Sequence, residues 1–413
     1  MNIVRPETRG FDSARLNRIK DWMQGYIDAR KFAGASLVIA RGGDLVYRTE
    51  TGLRDIAANQ PFTADTVVRI YSMTKPITSV ALMMLVERGQ VHLEAPLSDF
   101  IPEFAECNAL IPGARRIDQV EPAPSPTLHQ ALTHTSGLSY PFNPGVLPQA
   151  MDKDDLLFKP NQGALADMAA SVAGLPLAFQ PGSSWEYSVG IDIIGRVIEV
   201  VSGHSLATFI ADEITGPLGM SDTSFSVPDQ SVGRFAALYT PLAGDSMTLN
   251  SSQRGAETLR LIDTPERSPF RHASMYSGGG GMVGTIDDYL AFCEMLRQGG
   301  ALGATRLLSP KTVQFMFRNH LAGDIAALGV SSFAEQPMQG VGFGIGGSIT
   351  LQPGRTGAPG SVGDFSWGGM ASTFFWIDPV LDLSVVFFTQ LSPSSSYPAR
   401  PQLRALVHGA LVQ

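Results

Sequence analysis

Apolar positions recur at helical spacing over residues 11–30, where Phe11, Leu16, Ile19, Trp22, Met23 and Ile27 gather near one face. The period then changes. Residues 35–40 read as a strand, Arg41-Gly42-Gly43-Asp44 as a turn, and 45–49 as a returning strand. The same grammar comes back near the other end. Residues 372–377 and 383–389 are rich in β-branched and aromatic side chains and flank a turn at 378–382, which predicts a hairpin. A closing helix is expected over 401–412. Between these ends the chain reads as helices near 76–88, 127–133, 164–172, 189–202, 205–212 and 286–298, with Pro-rich loops at 122–126 and around 141–148. Strand pairs at both termini with helices between them predict one antiparallel sheet completed by the two ends of the chain, and a large helical insertion.

Composition narrows the picture. The 413 residues are 44% hydrophobic, enough for one large domain or two ordinary ones. Thirty basic and 38 acidic residues give a formal charge of −8, and no Lys/Arg stripe is visible, so nucleic acid is not an expected partner. Cys107 and Cys293 are the only cysteines and form no CxxC, which favours a reducing compartment. The first residues lead into no apolar signal region, and no stretch approaches membrane-spanning length. A cytoplasmic location is expected, although a secreted chain already relieved of its signal would read the same way.

The most informative stretch is Ser72-Met73-Thr74-Lys75, just before the apolar run 80–86. Residues three apart at a helix start share a face, so the ammonium lies beside the hydroxyl. A serine becomes a useful nucleophile when a neighbour helps remove its proton, and S-x-x-K is the nucleophile signature of serine β-lactamases and penicillin-binding proteins. Serine is also a favoured N-cap, so the tetrapeptide alone does not decide. The following helix is apolar all round, which predicts burial, and a lysine entering it needs a partner.

Other segments carry weaker signals. Gly279-Gly280-Gly281-Met282-Val283-Gly284 and Gly342-Phe343-Gly344-Ile345-Gly346-Gly347 match G-x-G-x-x-G literally. Neither has the strand–turn–helix context of a dinucleotide site, so both are expected to be tight turns, with Thr285 capping the next helix. No H-E-x-x-H or close histidine pair supports a metal, and no cofactor is expected. His134, after a helix-like segment, is either structural or near a site. There is no G-x-S-x-G elbow. Tyr187, just before a helix, is a core aromatic unless a cation such as Lys75 stabilises its phenolate. Trp367-Gly368-Gly369-Met370 opens onto the terminal hairpin. Its glycines admit either a β-bulge or a ligand close to the backbone.

Taken in order, these three segments resemble the serine β-lactamase-like hydrolases of the class C and DD-peptidase branch. They are most similar to the family VIII carboxylesterases, with the fungal statin acyltransferases close by. The landmarks 132–140, Pro217-Leu218-Gly219-Met220 and 277–282 extend the likeness over nearly the whole chain. The resemblance implies an α+β fold, an antiparallel sheet flanked by helices plus a helical subdomain. The sheet-bearing part would be about 1–75 with 275–413, and the helical part about 76–274.

The same resemblance implies Ser72 as nucleophile, Lys75 as the residue lowering its neighbours' proton affinity, and Tyr187 as general base and later acid. The backbone N–H groups of Ser72 and Met370 would form the oxyanion hole. Tyr140, Trp367, Gly368, Gly369 and Val189 would contact substrate. Two positions depart from the β-lactamase pattern: Trp367 stands for the lysine of K-T-G, and Val189 for the asparagine of Y-x-N. Both make the pocket more apolar. The expected activity is hydrolysis of small apolar esters through an acyl-enzyme. Acyl transfer at the same site, or a β-lactamase or D-peptidase activity, are the alternatives. The oligomeric state is not legible.

Overall fold

Asp12 accepts the backbone N–H of Arg15 and so begins helix α1, Ser13–Asp28. The computed structural model describes residues 1–156, 159–244, 254–256, 258–334 and 336–412. Leu16, Ile19, Met23 and Tyr26 form the buried stripe of α1. Strands β1 (Gly34–Arg41), β2 (Asp44–Asp55) and β3 (Gln60–Pro61) follow. The far end of the chain supplies β4 (Val341–Phe343), β5 (Ser348–Thr350), β6 (Phe365–Gly368), β7 (Phe374–Asp378) and β8 (Leu383–Thr389). All eight join one antiparallel sheet in the order β4-β5-β6-β7-β8-β1-β2-β3. β1 pairs with β8 on one side and β2 on the other, so the two ends of the chain meet inside the sheet.

The helices that place the site are α2 (Thr74–Glu87), α3 (Leu128–Leu132), α4 (Gly190–Ser202), α5 (Ile286–Arg297) and α6 (Ala399–Gly409). Strand periodicity decides which face each residue serves. Leu37, Ile39, Phe374, Trp376, Val385 and Phe387 share a core with α1 and α6. Val38, Phe375, Ile377, Val386 and Phe388 belong to the opposite core, which contains α2, α4 and α5. The sheet is therefore covered on both sides, and the site lies on the α2 side.

Element boundaries differ from expectation where local chemistry intervenes. β2 runs on to Asp55. The strand expected from residue 372 begins at Phe374, because Ser372 adopts φ 63 in a turn. Val120–Ala123 pairs with Cys107–Leu110, so the loop expected at 122–126 begins inside a strand. The loop expected around 141–148 gives way at Val146 to a helix, Val146–Lys153, with Pro148 in its first turn, where a missing N–H costs nothing. The helix expected over 205–212 is Leu206–Ile210 followed by a π-helical turn, Ala211–Thr215. The glycine-rich matches are only partly turns: Gly279-Gly280 turn before the short strand Val283–Gly284, while Gly342 and Phe343 belong to β4 and residues 344–347 close the tight link to β5. Thr285 accepts the Asp288 N–H at the start of α5. Among the described residues no single helix is long and apolar enough to cross a membrane.

Candidate active site

The turn that carries Ser72 is anchored by a buried arginine. Val68–Arg69 pairs with Val283–Gly284. The Arg69 guanidinium is fully buried and donates to Asp263 (2.6 and 2.9 Å), the Ala236 carbonyl (2.6 Å) and Gln390 (3.2 Å). A buried charge with this many partners cannot shift cheaply. Two residues on, Tyr71 has φ 43, a conformation that costs a non-glycine residue about 1–3 kcal/mol. Ser72 sits in the short 3₁₀ turn Tyr71–Met73, and α2 begins at Thr74. Every residue from Thr74 to Leu85 is buried, as the all-round apolar pattern predicted. The Ser72 hydroxyl caps neither helix.

Instead, Ser72 Oγ accepts hydrogen bonds from the Tyr187 hydroxyl at 2.7 Å and from Lys75 Nζ at 3.4 Å. Lys75 is wholly buried, and Nζ also donates to Tyr140 Oη (2.9 Å) and the Gly279 carbonyl (2.7 Å). Burial lowers its pKa from the ordinary lysine range to about 7, partly opposed by the Asp192 carboxylate. A substantial fraction is therefore neutral near pH 7. Burial raises the Tyr187 hydroxyl well above its ordinary value, with the Ser72 hydrogen bond opposing it. Lys75 does not bond to the Tyr187 oxygen. Its Nζ lies over the Tyr187 ring, 4.5 Å from the centroid. Tyr187 is thus a proton donor at rest, and Lys75 is the group prepared to take a proton.

His134 is a supporting residue. Its ring packs edge-on against Tyr187 at 4.8 Å, and Nδ1 accepts the Ser188 N–H at 3.2 Å. Burial, and then the Lys75 charge, hold its pKa well below the ordinary value, so it is neutral.

The tip of β6 closes the site opposite Ser72. Trp367 pairs with Phe375 and Gly368 with Phe374 in unbroken register, so there is no bulge. The glycines serve the protein's own packing. A β-carbon on Gly369 would collide with the Ile70 carbonyl, and one on Gly368 with the Arg400 guanidinium. Glycine at 369 therefore lets the chain before Met370 lie against the Ile70 carbonyl, two residues before Ser72. Among the described residues, neither the Ser72 nor the Met370 N–H finds an acceptor, and both residues line the cleft.

That cleft has a volume of about 250 Å³. Around Ser72 its wall is aromatic. Trp367 lies 5.5 Å from Tyr187, nearly parallel to Phe333 at 6.0 Å, and perpendicular to Phe343 at 5.3 Å. Tyr140 stacks on Phe142 at 4.7 Å. Tyr140, Trp367, Gly368 and Gly369 all line the cleft, but Val189 does not. Val189 is buried and immediately precedes α4, so it offers no surface to the cleft. Arg400, from α6, also lines the cleft and donates to the Ala334 carbonyl at 3.2 Å.

Sequence reading missed Asp192, Gly279 and Phe333. Asp192 had a readable signal: it is the one carboxylate among Ile191, Ile193, Ile194 and Val197 on a buried stretch of helix, where an acid needs a reason. Phe333 had none, because it arrives from a distant hairpin, Ser332–Phe333 with Gln336–Pro337.

Comparison with known proteins agrees with this geometry. The family model described as Beta-lactamase matches residues 19–409. Protein Rv1367c of Mycobacterium tuberculosis is 34% identical over 378 residues, 90% of this chain and 89% of that protein. Esterase EstB of Burkholderia gladioli is 32% identical over 391 residues, 91% of this chain and 90% of that one. The solved structure of EstCE1, a hydrolase with promiscuous acyltransferase activity, superposes with a TM-score of 0.78 at 26% identity, covering 96% of this chain and 99% of that one.

Proposed function

The chain belongs to the Beta-lactamase family, and from that membership we propose a serine carboxylesterase of the family VIII kind, acting on small apolar esters through an acyl-enzyme on Ser72. The observation that carries this reading is the Tyr187–Ser72–Lys75 chain opening into an aromatic wall, with an indole where a β-lactam carboxylate would need an ammonium.

The proton chemistry balances, because Lys75 and Tyr187 each end the cycle in the protonation state in which they began. Neutral Lys75 takes the Ser72 proton as Oγ attacks the ester carbonyl. The oxyanion forms against the N–H groups of Ser72 and Met370. The C–O bond to the alcohol breaks, and Tyr187 gives its proton to the departing alkoxide. The Lys75 ammonium over the ring supports the resulting phenolate. Tyr187 then takes a proton from water, which attacks the acyl carbon, and Ser72 leaves with the proton held by Lys75. This reverses the order of Tyr187's two tasks: acid first, base second. If an alcohol replaces water in the second half, the same atoms perform acyl transfer, the activity that the description of EstCE1 names for that protein.

We further propose the subdomain division at about 1–75 with 275–413 and 76–274, and a cytoplasmic location, which two unpaired cysteines, Cys107 and Cys293, favour. The test of function is a panel of p-nitrophenyl esters of increasing acyl length, run beside a chromogenic cephalosporin. Turnover of short esters well above the cephalosporin supports the proposal, and a cephalosporin preferred over every ester defeats it.

A further inference from the structure

Lys75 and Asp192 are both buried, at 0% and 1% exposure, yet they make no ion pair with each other among the described residues. Tyr140 stands between them. Lys75 Nζ donates to Tyr140 Oη at 2.9 Å, and Tyr140 Oη donates to Asp192 Oδ2 at 3.2 Å. The other carboxylate oxygen of Asp192 accepts the Gly279 N–H at 3.0 Å and the Ser277 hydroxyl. Lys75 holds the carbonyl of the same Gly279 at 2.7 Å. Residue 279 is thus gripped from both ends, and it has to be glycine, because a β-carbon there would collide with the Asp192 carboxylate.

The direction of these bonds has a consequence for the base. The Gly279 carbonyl can only accept. The Tyr140 proton is committed to Asp192, so toward Lys75 the tyrosine oxygen can only accept as well. A neutral amine has two N–H bonds and one lone pair. With both N–H bonds drawn to Gly279 and Tyr140, the lone pair is left facing Ser72, the one partner on Lys75 with a proton to give. We propose that Asp192 is a positioning residue: acting through Tyr140, it aims the Lys75 lone pair at the Ser72 hydroxyl and balances the charge Lys75 acquires. The groups facing Lys75 are Asp192 from α4, Tyr140 and the neutral His134 from the segment after α3, Tyr187 from the loop before α4, and Ser72. Asp192 is the only one carrying negative charge.

The inference rests on the proposed acyl-enzyme chemistry only through Ser72 and Lys75, so the test avoids ester turnover. The rate at which a fluorophosphonate labels Ser72 is measured against pH for the parent, Asp192→Asn and Tyr140→Phe, with the labelled residue identified by peptide mapping. Asp192→Asn removes the charge that favours ammonium and lets the amide donate to Tyr140, which frees the tyrosine proton to occupy the Lys75 lone pair. The acidic limb of the labelling profile should move down by about one pH unit, and the plateau should fall at least about tenfold. Tyr140→Phe should lower the plateau comparably with a smaller shift of the limb, because the carboxylate stays. A folded Asp192→Asn protein with an unmoved limb and a plateau within twofold of the parent overturns the proposal. If Asp192→Asn does not fold, an unchanged profile in Tyr140→Phe does the same. A parent that labels at Ser72 but turns over no ester would defeat the esterase reading and leave this one standing.

Discussion

Ser72 Oγ joins Tyr187 to Lys75: the Tyr187 hydroxyl donates to it at 2.7 Å and Lys75 Nζ at 3.4 Å, while Nζ lies over the Tyr187 ring and not at its oxygen. The serine is thus the middle of a three-member chain. The nucleophile prediction is therefore the most direct. Ser72→Ala should abolish ester hydrolysis with the fold intact, and a serine-reactive phosphonate should label Ser72 in the parent. An alanine variant that keeps most of its kcat, or a label on another serine, contradicts the assignment.

Removing the Tyr187 hydroxyl tests the acid. The ring of Tyr187 packs on His134, Phe333 and Trp367, contacts that phenylalanine would keep. Tyr187→Phe should lower kcat by about two to four orders of magnitude with little change in melting temperature. Lys75→Ala should be comparably severe. Because Tyr187 serves only the leaving alcohol in the first half-reaction, an ester with an excellent leaving group, such as p-nitrophenol, should suffer less in acylation than an alkyl ester. Stopped-flow burst kinetics on the two substrates separates the steps. Equal losses on both would assign Tyr187 to activation of Ser72 instead.

The pH dependence follows from Lys75. Its pKa is lowered to about 7, so below that pH it is protonated and cannot accept the Ser72 proton, and above it the neutral amine prevails. The kcat/KM for ester hydrolysis should therefore rise through about pH 7 and level off above it, since kcat/KM reports the free enzyme. Tyr187, raised above its ordinary range, keeps its proton across this window. A profile flat from pH 5 to 9 would remove Lys75 from the proton chain.

How far the chain could be read without coordinates depends on the kind of signal. The two hairpins at the middle of the sheet were legible because hairpins announce themselves locally: Asp378 accepts the N–H groups of Val380 and Leu381, and the strands on either side alternate cleanly. The short strands β3, β4 and β6 at its flanks were not. Ser72 and Lys75 were legible because three residues of helix bring them together. Tyr187 was placed by resemblance, and its distance to Ser72 was not readable from spacing 115 residues apart. Val189 was assigned to the substrate surface by the same route, but it is buried and offers no surface to the cleft. Arg400 and Phe333 enter the cleft from elements whose approach depends on the whole fold, and no local pattern marks them.

The β6 tip offers a backbone test. Gly369 lets the chain before Met370 lie against the Ile70 carbonyl because only a hydrogen faces it. Gly369→Ala should push the tip away and take the Met370 N–H out of line with the oxyanion. Loss of one such donor costs about 10²–10³ in kcat. The KM for a small ester should change much less, since the aromatic wall remains. A variant with kcat within a few-fold of the parent would show that Met370 is not a donor to the transition state.

The proposed selectivity for apolar esters is tested at Trp367. Its indole stands within an aromatic cluster of Tyr187, Phe333 and Phe343 and offers apolar area where a charged substrate would need an ammonium. Short-chain p-nitrophenyl esters should be turned over far better than any penicillin, with slow cephalosporin opening as the residue of shared acylation chemistry. Trp367→Lys should shift the ratio of kcat/KM toward carboxylate-bearing β-lactams, because the ammonium would sit on the strand that leads to Met370, one of the two proposed oxyanion donors. Arg400 sets the baseline: it already lines the cleft, but its guanidinium is drawn to the Ala334 carbonyl and packs on Gly368. The shift should therefore be larger for Trp367→Lys than for any change at Arg400. Discrimination is a difference of transition-state affinities, so both substrates have to be measured on one preparation. If Trp367→Lys lowers both activities in parallel, the indole is acting as packing for Tyr187, and selectivity must come from the Phe333 side of the cleft.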